Sequence, residues 1–145
     1  MRGILAAALL ATTAFAAPPP GALQWLPDTV PWSPASPAMP AGTQIAVLEG
    51  DPKAKRWFTI RLKLPAGAVI APHWHPRDER VTVISGTVAV GFGDSVDPAA
   101  VTRFGAGGFY VNPANSHHFV MFPEESVVQV TGIGPWEINF VAPAQ

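Results

Sequence analysis

The sequence predicts an all-β protein, folded as a jelly-roll β-barrel of antiparallel strands. Apolar and polar residues alternate from Trp57 onward, with Phe58, Ile60 and Leu62 on one face. Short runs of this kind recur between Gly- and Pro-containing turns, and no helical pattern follows the first sixteen residues. A closed sheet is expected because closure removes exposed strand edges. With 145 residues and 48% hydrophobic content, the chain suits a single domain with one core.

The first element, residues 1–16, is predicted to be a secretory signal peptide. Arg2 precedes an apolar run that starts at Ile4, and small residues stand at Ala14 and Ala16. Cleavage after Ala16 is favoured over cleavage after the next alanine, which would leave a proline at the new N-terminus. The alternative is an uncleaved anchor, but the apolar run is shorter than the ~20 residues that span a bilayer. We therefore expect a periplasmic or secreted protein that has no membrane segment after cleavage.

Residues 17–44 form the second element, a Pro-rich extended arm. Prolines cluster here, as in 18–20, and restrict the backbone to extended conformations with little regular structure. Trp25, Leu26, Val30 and Trp32 make the arm too apolar for a free linker. We expect part of it to pack along the barrel or onto a partner subunit, with a loose tail as the alternative.

The barrel domain is predicted to occupy residues 45–145. After the strand that begins at Trp57, the alternation and the turn residues indicate seven further strands. Their ranges are 69–75, 79–85, 87–93, 108–112, 118–122, 127–131 and 137–141.

The most informative motif is His73-Trp74-His75, followed by Glu79. Side chains two residues apart on a strand share one face, so both imidazoles should point the same way. Pro76 interrupts the strand, and Glu79 can return on the next strand towards the same volume. Nitrogen and oxygen ligands of this kind suit zinc, iron, copper, nickel or manganese. The alternative is a surface turn without a metal.

The other two histidines are adjacent, at His117 and His118, so all imidazoles lie in two short segments. By strand alternation only one of the two can face the barrel interior. The sequence has no Cys, which excludes disulfides and thiolate ligands and leaves His and carboxylate as metal ligands.

These motifs resemble those of the cupin superfamily. The first cupin motif has the form Gly, five residues, His-x-His, three or four residues, Glu, six residues, Gly. The chain matches it at Gly67, His73, His75, Glu79 and Gly86.

The second cupin motif is matched in part, at Gly107, Pro113 and His118. Asn115 replaces its second glycine, a mild change because Asn tolerates positive φ, and Phe122 replaces its final Asn, which is not a ligand. The resemblance is strongest to small exported single-domain bacterial cupins. It implies a cupin-type jelly-roll barrel in which His73, His75, Glu79 and His118 bind one divalent metal ion, with the side chain of His117 directed elsewhere. It also implies a homodimer.

Strand alternation further predicts a largely apolar pocket around this centre. Val69 and Ala71 should face inward with the first two histidines, and Ser85 should face inward at the far end of the strand that begins at Glu79. Trp74 and Tyr110 are expected to be ordinary sheet residues. Apart from Glu79, no titratable side chain is expected to point into the pocket.

Composition excludes some partners. Removing Arg2 with the signal peptide leaves 8 basic residues against 10 acidic ones, a net charge near −2 with no basic patch for nucleic acid. Arg61 and Lys63 fall opposite the apolar stripe, so no cationic clamp for phosphate is expected. A small-molecule ligand fits better.

Two functional classes remain open at this stage. One is a metal-dependent enzyme acting on a small organic substrate: a dioxygenase if the metal is iron, or a lyase or isomerase with zinc, nickel or manganese. The other is a non-catalytic module that captures a metal or a small ligand. Catalytic residues beyond the metal ligands are not assigned.

Overall fold

The computed structural model describes residues 16–142, so the predicted signal peptide lies outside it except for Ala16. The all-β prediction is confirmed, since the described residues form eleven strands and no helix. Within them there is no helix long and apolar enough to cross a membrane. The strands are β1 (Ser33–Pro34), β2 (Gln44–Gly50), β3 (Trp57–Leu64), β4 (Val69–Trp74), β5 (Glu79–Ser85), β6 (Val88–Phe92), β7 (Thr102–Phe104), β8 (Phe109–Asn112), β9 (His118–Met121), β10 (Ser126–Ile133) and β11 (Asn139–Phe140).

Two antiparallel sheets build the jelly roll. One has six strands in the order β1-β2-β3-β10-β5-β8, and the other has five in the order β11-β4-β9-β6-β7. Strand β3 shows why the sheets pack face to face, because every second residue from Phe58 to Leu64 is buried. Each such buried side chain stabilises the fold by roughly 1.5–3 kcal/mol. The core consists of these residues and apolar side chains from β4, β5, β6, β9 and β10.

The predicted strands from Trp57 onward are all present, with ends that differ by one or two residues in most cases. Strands β1, β2 and β7 were not predicted. β1 has two residues and β7 has three, which is too short for an alternating pattern of apolar and polar residues to be recognised. In β2 the regular pairing with β3 shifts between Val47 and Glu49, which breaks the period-two pattern.

A β-bulge corrects the predicted orientation of Val69 and Ala71. Strand β4 pairs Ile70 with Val120 and His73 with His118, so β4 contains one more residue than β9 over this stretch. The extra residue reverses the alternation: Ile70 and His73 are both buried, while Val69 and Ala71 are exposed. Pro72, which has no N–H to donate to the ladder, lies within the bulge.

The same effect corrects the prediction for Ser85. Strand β10 pairs Val128 with Val83 but Val127 with Ser85, so Ile84 is the extra residue on β5. Ile84 and Ser85 are both exposed.

The Pro-rich arm contacts the barrel at several places, one of them a 2.9 Å hydrogen bond from Nε1 of Trp25 to the Leu48 carbonyl. Val30 is buried against Ala46 and Leu48 of β2, and the ammonium group of Lys63 lies 4.6 Å from the centre of the Trp32 ring. Further along, β1 and β2 form a hairpin with residues 35–43 as its connecting loop, and Met39 of this loop packs against the core. We call residues 35–43 the hairpin loop.

Candidate metal centre

Three of the four histidines converge inside the barrel. The ligand atoms of His73, His75 and His118 all lie within 4.8 Å of one another, and each side chain is buried. His73 is on β4, His75 follows it directly, and His118 begins β9, the strand that pairs with β4. The β4 bulge is what directs His73 inward, because regular alternation from the buried Ile70 would turn its ring outward.

Backbone carbonyls fix the orientation of all three imidazole rings. Nδ1 of His73 lies 2.7 Å from the Ala71 carbonyl oxygen, Nδ1 of His75 lies 2.7 Å from that of Glu137, and Nδ1 of His118 lies 3.0 Å from that of Ser116. A carbonyl can only accept, so each Nδ1 carries the proton and donates it. Each Nε2 is therefore left with a free lone pair, which is the arrangement of metal-binding histidines. Nε2 of His75 and of His118 are buried and make no hydrogen bond within the described chain.

Glu79 begins β5 and brings a buried carboxylate to the same centre. Its Oε2 lies 3.4 Å from Nε2 of His75 and 3.7 Å from Nε2 of His118. The same oxygen accepts a 2.9 Å hydrogen bond from Nδ2 of Asn112, which stands opposite Glu79 in the β5–β8 ladder. The structure thus groups His73, His75 and His118 at one centre and places the Glu79 carboxylate beside two of them, His75 and His118.

The electrostatics leave these groups ready to act as ligands at neutral pH. Burial by itself raises the pKa of the Glu79 carboxyl group. The nearby His75 and the hydrogen bond from the Asn112 amide lower this pKa by a larger amount, so that its net value is about 2. Burial and the neighbouring His118 lower the pKa of His73 to about 4, and burial lowers the pKa of His118 as well. Only His75 has a pKa above 6.5, because the Glu79 carboxylate outweighs the effect of burial.

A small, mostly apolar cavity adjoins these residues. It offers only about 20 Å³ to the centre of a water molecule, which is room for about one water. Beside the metal-site residues His73, His75 and Glu79, its walls come from strand side chains, from the hairpin loop and from the segment before β11. They are Met39, Leu62, Ile70, Val81, Tyr110, Val120, Phe122, Val128, Val130, Trp136 and Ile138.

Tyr110 corrects the expectation that no titratable side chain beyond the predicted metal ligands lines the pocket. It was expected to be an ordinary sheet residue, and it does lie on β8, but its side chain lines the cavity. Burial and the charge of Glu79 raise the pKa of Tyr110 well above its usual value, so the hydroxyl stays protonated.

Asn112 and Trp136 also belong to the site and were not found from the sequence. The Trp136 ring stacks on His75 with centroids 5.5 Å apart and planes 16° apart. The sequence did contain a signal for Asn112. Residues 110 and 112 share one face of β8, and an Asn on the inward face of a strand is uncommon unless its amide has a hydrogen-bonding partner. No comparable signal pointed to Trp136, since residues 134–138 have no regular structure.

The remaining predictions near the site agree with the structure. Nδ1 of His117 lies 2.6 Å from Oδ1 of Asp94 on the surface, so this histidine points away from the centre. Asn115 has a φ of 61°, the positive value that its place in the second motif requires. Its N–H donates to the His75 carbonyl at 2.8 Å, which ties the turn before β9 to the end of β4.

Comparisons with known proteins agree with this architecture. The family model described as the ChrR cupin-like domain matches residues 23–137. No curated protein sequence gives a significant match. Among solved structures, the polyketide cyclase RemF from Streptomyces resistomycificus superposes with a TM-score of 0.69 at 14% identity, covering 84% of this chain and 87% of the cyclase. An acetylacetone dioxygenase from Acinetobacter johnsonii has a TM-score of 0.65 at 18% identity, covering 92% of this chain and 86% of the dioxygenase.

A third similar structure is an RmlC-like cupin from Shewanella frigidimarina, with a TM-score of 0.58 at 16% identity, covering 74% of this chain and 86% of that protein. At these identities the structural matches establish the fold and not the activity. The family model spans most of the chain, including both histidine segments. The protein is therefore a member of the ChrR cupin-like family within the cupin superfamily.

Proposed function

We propose that this protein binds one divalent metal through His73, His75, His118 and Glu79 and uses it to act on a small organic substrate. The observation that carries the proposal is the pair of buried Nε2 atoms, on His75 and His118, that make no hydrogen bond among residues 16–142. Leaving buried polar atoms unpaired costs about 1–3 kcal/mol each. A metal ion would remove that cost, since all three rings are already held in the ligating tautomer.

The position of Glu79 supports its role as the fourth ligand. Ligand atoms about 2.1 Å from one ion stand roughly 3.0–3.4 Å apart in octahedral or tetrahedral geometry. The separations of 3.4 and 3.7 Å between Oε2 and the two imidazole nitrogens lie close to that range. Asn112 holds this oxygen in place, and the low pKa of Glu79 keeps it ionised.

The cavity defines the kind of substrate. No Lys or Arg is among its lining residues, and both nearby cations are engaged elsewhere, Arg61 with Gln129 and Lys63 with the Trp32 ring. A phosphorylated substrate would lack a counter-charge. A divalent metal with one carboxylate ligand retains positive charge and supplies Lewis acidity for a chelating oxygen pair. The apolar walls exclude water, and the protonated Tyr110 can donate a hydrogen bond to a substrate oxygen.

We propose a 1,3-dicarbonyl compound as the substrate class, with iron-dependent dioxygenation as the reaction. Two of the similar structures, an acetylacetone dioxygenase and a polyketide cyclase, are named for compounds of this chemistry. A lyase or isomerase reaction is the corresponding proposal for zinc, nickel or manganese, because a Lewis-acidic ion can polarise a substrate carbonyl without oxygen.

Oxygen uptake tests this function. The full-length protein would be purified without metal, loaded anaerobically with Fe(II) or Zn(II), and mixed with pentane-2,4-dione or a simple phenol in an oxygen-electrode cell. We expect uptake of one O₂ per diketone with iron and none with zinc. A His118→Ala variant serves as the matched control and should consume none. Full iron occupancy with neither oxygen uptake nor substrate conversion would refute the enzymatic role.

A non-catalytic binding module is the second candidate. The small cavity, with room for about one water, favours it, since the space fits a bare ion with a single small ligand. Metal retained at one equivalent per chain, with no turnover of any compound tested, is the result expected for this role.

Export and pairing complete the proposal. The N-terminal pattern supports cleavage after Ala16 and a periplasmic or secreted location. The resemblance to paired single-domain cupins supports a homodimer. Mass spectrometry of the mature N-terminus and light scattering of the purified protein test these two points.

A further inference from the structure

Met39 lies between the small cavity at the metal site and a larger groove on the surface. The groove runs along the hairpin loop and its base, residues 34–44, and offers about 490 Å³ to the centre of a water molecule. The cavity offers about 20 Å³ by the same definition. Within residues 16–142, Met39 is the one residue that lines both the cavity and the groove.

The hairpin loop holds Met39 in that position. The pairing of β1 with β2 forms its base, and the Ala35 N–H closes it by donating to the Thr43 carbonyl at 3.0 Å. Within the loop, the Met39 N–H donates to the Ser36 carbonyl at 2.9 Å. The Met39 side chain is half-buried against the core, whereas residues 36–38 are exposed. The side chain therefore extends from a surface loop into the mouth of the barrel.

The sizes of the two spaces mean that something must move before an organic ligand reaches the metal site. A cavity that holds one water cannot admit a diketone. Most of its walls are strand residues, whose displacement would disturb the ladder. Met39 is on a loop, and its unbranched side chain has three rotatable bonds, so it can change rotamer at low cost.

We propose that Met39 is the gate of the metal site and determines how large a substituent the substrate can carry. This inference rests on the proposed function for the class of substrate. The groove beyond Met39 is lined by residues without charge, mainly proline, alanine and small polar residues. The class of ligand that fits is a 1,3-diketone with one uncharged substituent, which would lie in the groove while the dicarbonyl group faces the metal site.

Ligand titration of the Co(II)-loaded full-length protein tests the gate without relying on turnover. Two probes are used, azide as a small metal ligand and 1-phenylbutane-1,3-dione as a bulky one, each followed by the visible cobalt spectrum. We expect Met39→Ala to tighten the Kd of the bulky diketone by about tenfold or more, because the lost side chain opens the path into the groove. Azide affinity should change by less than about threefold, since azide needs little more space than water.

Two further variants serve as controls. Met39→Leu preserves the volume and should behave like the wild type, while Met39→Trp should weaken the bulky diketone and leave the cobalt content at one per chain. Equal shifts for both probes, or no gain for the bulky diketone in Met39→Ala, would overturn the gate. A tighter Kd for the bulky diketone alone, without oxygen uptake by the iron form, would support the gate and refute the enzymatic role. Oxygen uptake without that change in Kd would support the enzymatic role and refute the gate.

Discussion

Removing His118 should abolish stoichiometric metal binding, while removing its neighbour His117 should not. The two residues are adjacent in sequence but differ fully in environment. His118 is completely buried with an unpaired Nε2 directed at the other two rings. His117 lies on the surface against Asp94, outside the cavity.

The size of the effect follows from the number of ligands. A protein site for zinc contributes about 10–16 kcal/mol of apparent binding free energy at pH 7. Shared evenly among His73, His75, His118 and Glu79, this is about 3 kcal/mol per ligand, or about two orders of magnitude in affinity. We therefore expect His118→Ala to raise the metal Kd about 100-fold and His117→Ala to leave it within about twofold.

The assay is competition between each variant and a coloured chelator, with elemental analysis of the dialysed protein. Because His118→Ala also leaves a void, the thermal midpoints of the metal-free proteins must be compared, and His118→Gln provides a variant that fills more of the space. Equal metal loss in the His117 and His118 variants, with both folded, would refute the assignment of the ligands.

Two other predictions concern the electrostatics of the site. In the metal-free protein the Glu79 carboxylate outweighs burial and raises the pKa of His75, whereas burial lowers the pKa of His73 to about 4 and lowers the pKa of His118. At about pH 5.5 three unperturbed imidazoles would release nearly three protons on metal binding, so log affinity would rise by nearly three units per pH unit. We expect a slope between about one and two instead, and calorimetric titration near this pH distinguishes the two cases. Asn112→Ala should weaken metal binding about 10–100-fold by freeing Glu79 Oε2, without altering the ligand set. A change below threefold in the chelator assay would show that Glu79 needs no such support.

The sequence was sufficient for the fold and for the convergence of His73, His75 and His118. Period-two alternation located the strands from Trp57 onward because each has a buried face and a solvent face. The spacing His73-x-His75 and the returning Glu79 located the centre for the same reason. Asn115 was correctly assigned a turn role, as its φ of 61° shows.

The lining of the cavity could not be predicted as well, because alternation fails wherever a strand gains a residue. The bulges at residues 71–72 and at Ile84 reverse the expected faces, and a bulge has no reliable sequence signature. Trp136 and Met39 reach the cavity from segments outside the ladder, where strand periodicity carries no information. Tyr110 was missed because an aromatic residue on a strand is ordinarily a packing residue.

The bulge on β4 also explains how three imidazole rings from the β4 and β9 region can point at one centre. Without the extra residue, Ile70 and His73 would face opposite sides, and either the core or the site would lose a side chain. With it, both are buried, and the Ala71 carbonyl is close enough to take the Nδ1 proton of His73. The irregularity that defeated the sequence prediction therefore both directs this ring inward and sets its tautomer. Its removal should therefore disturb the metal site or the core directly, because regular alternation would turn either His73 or Ile70 out of the interior.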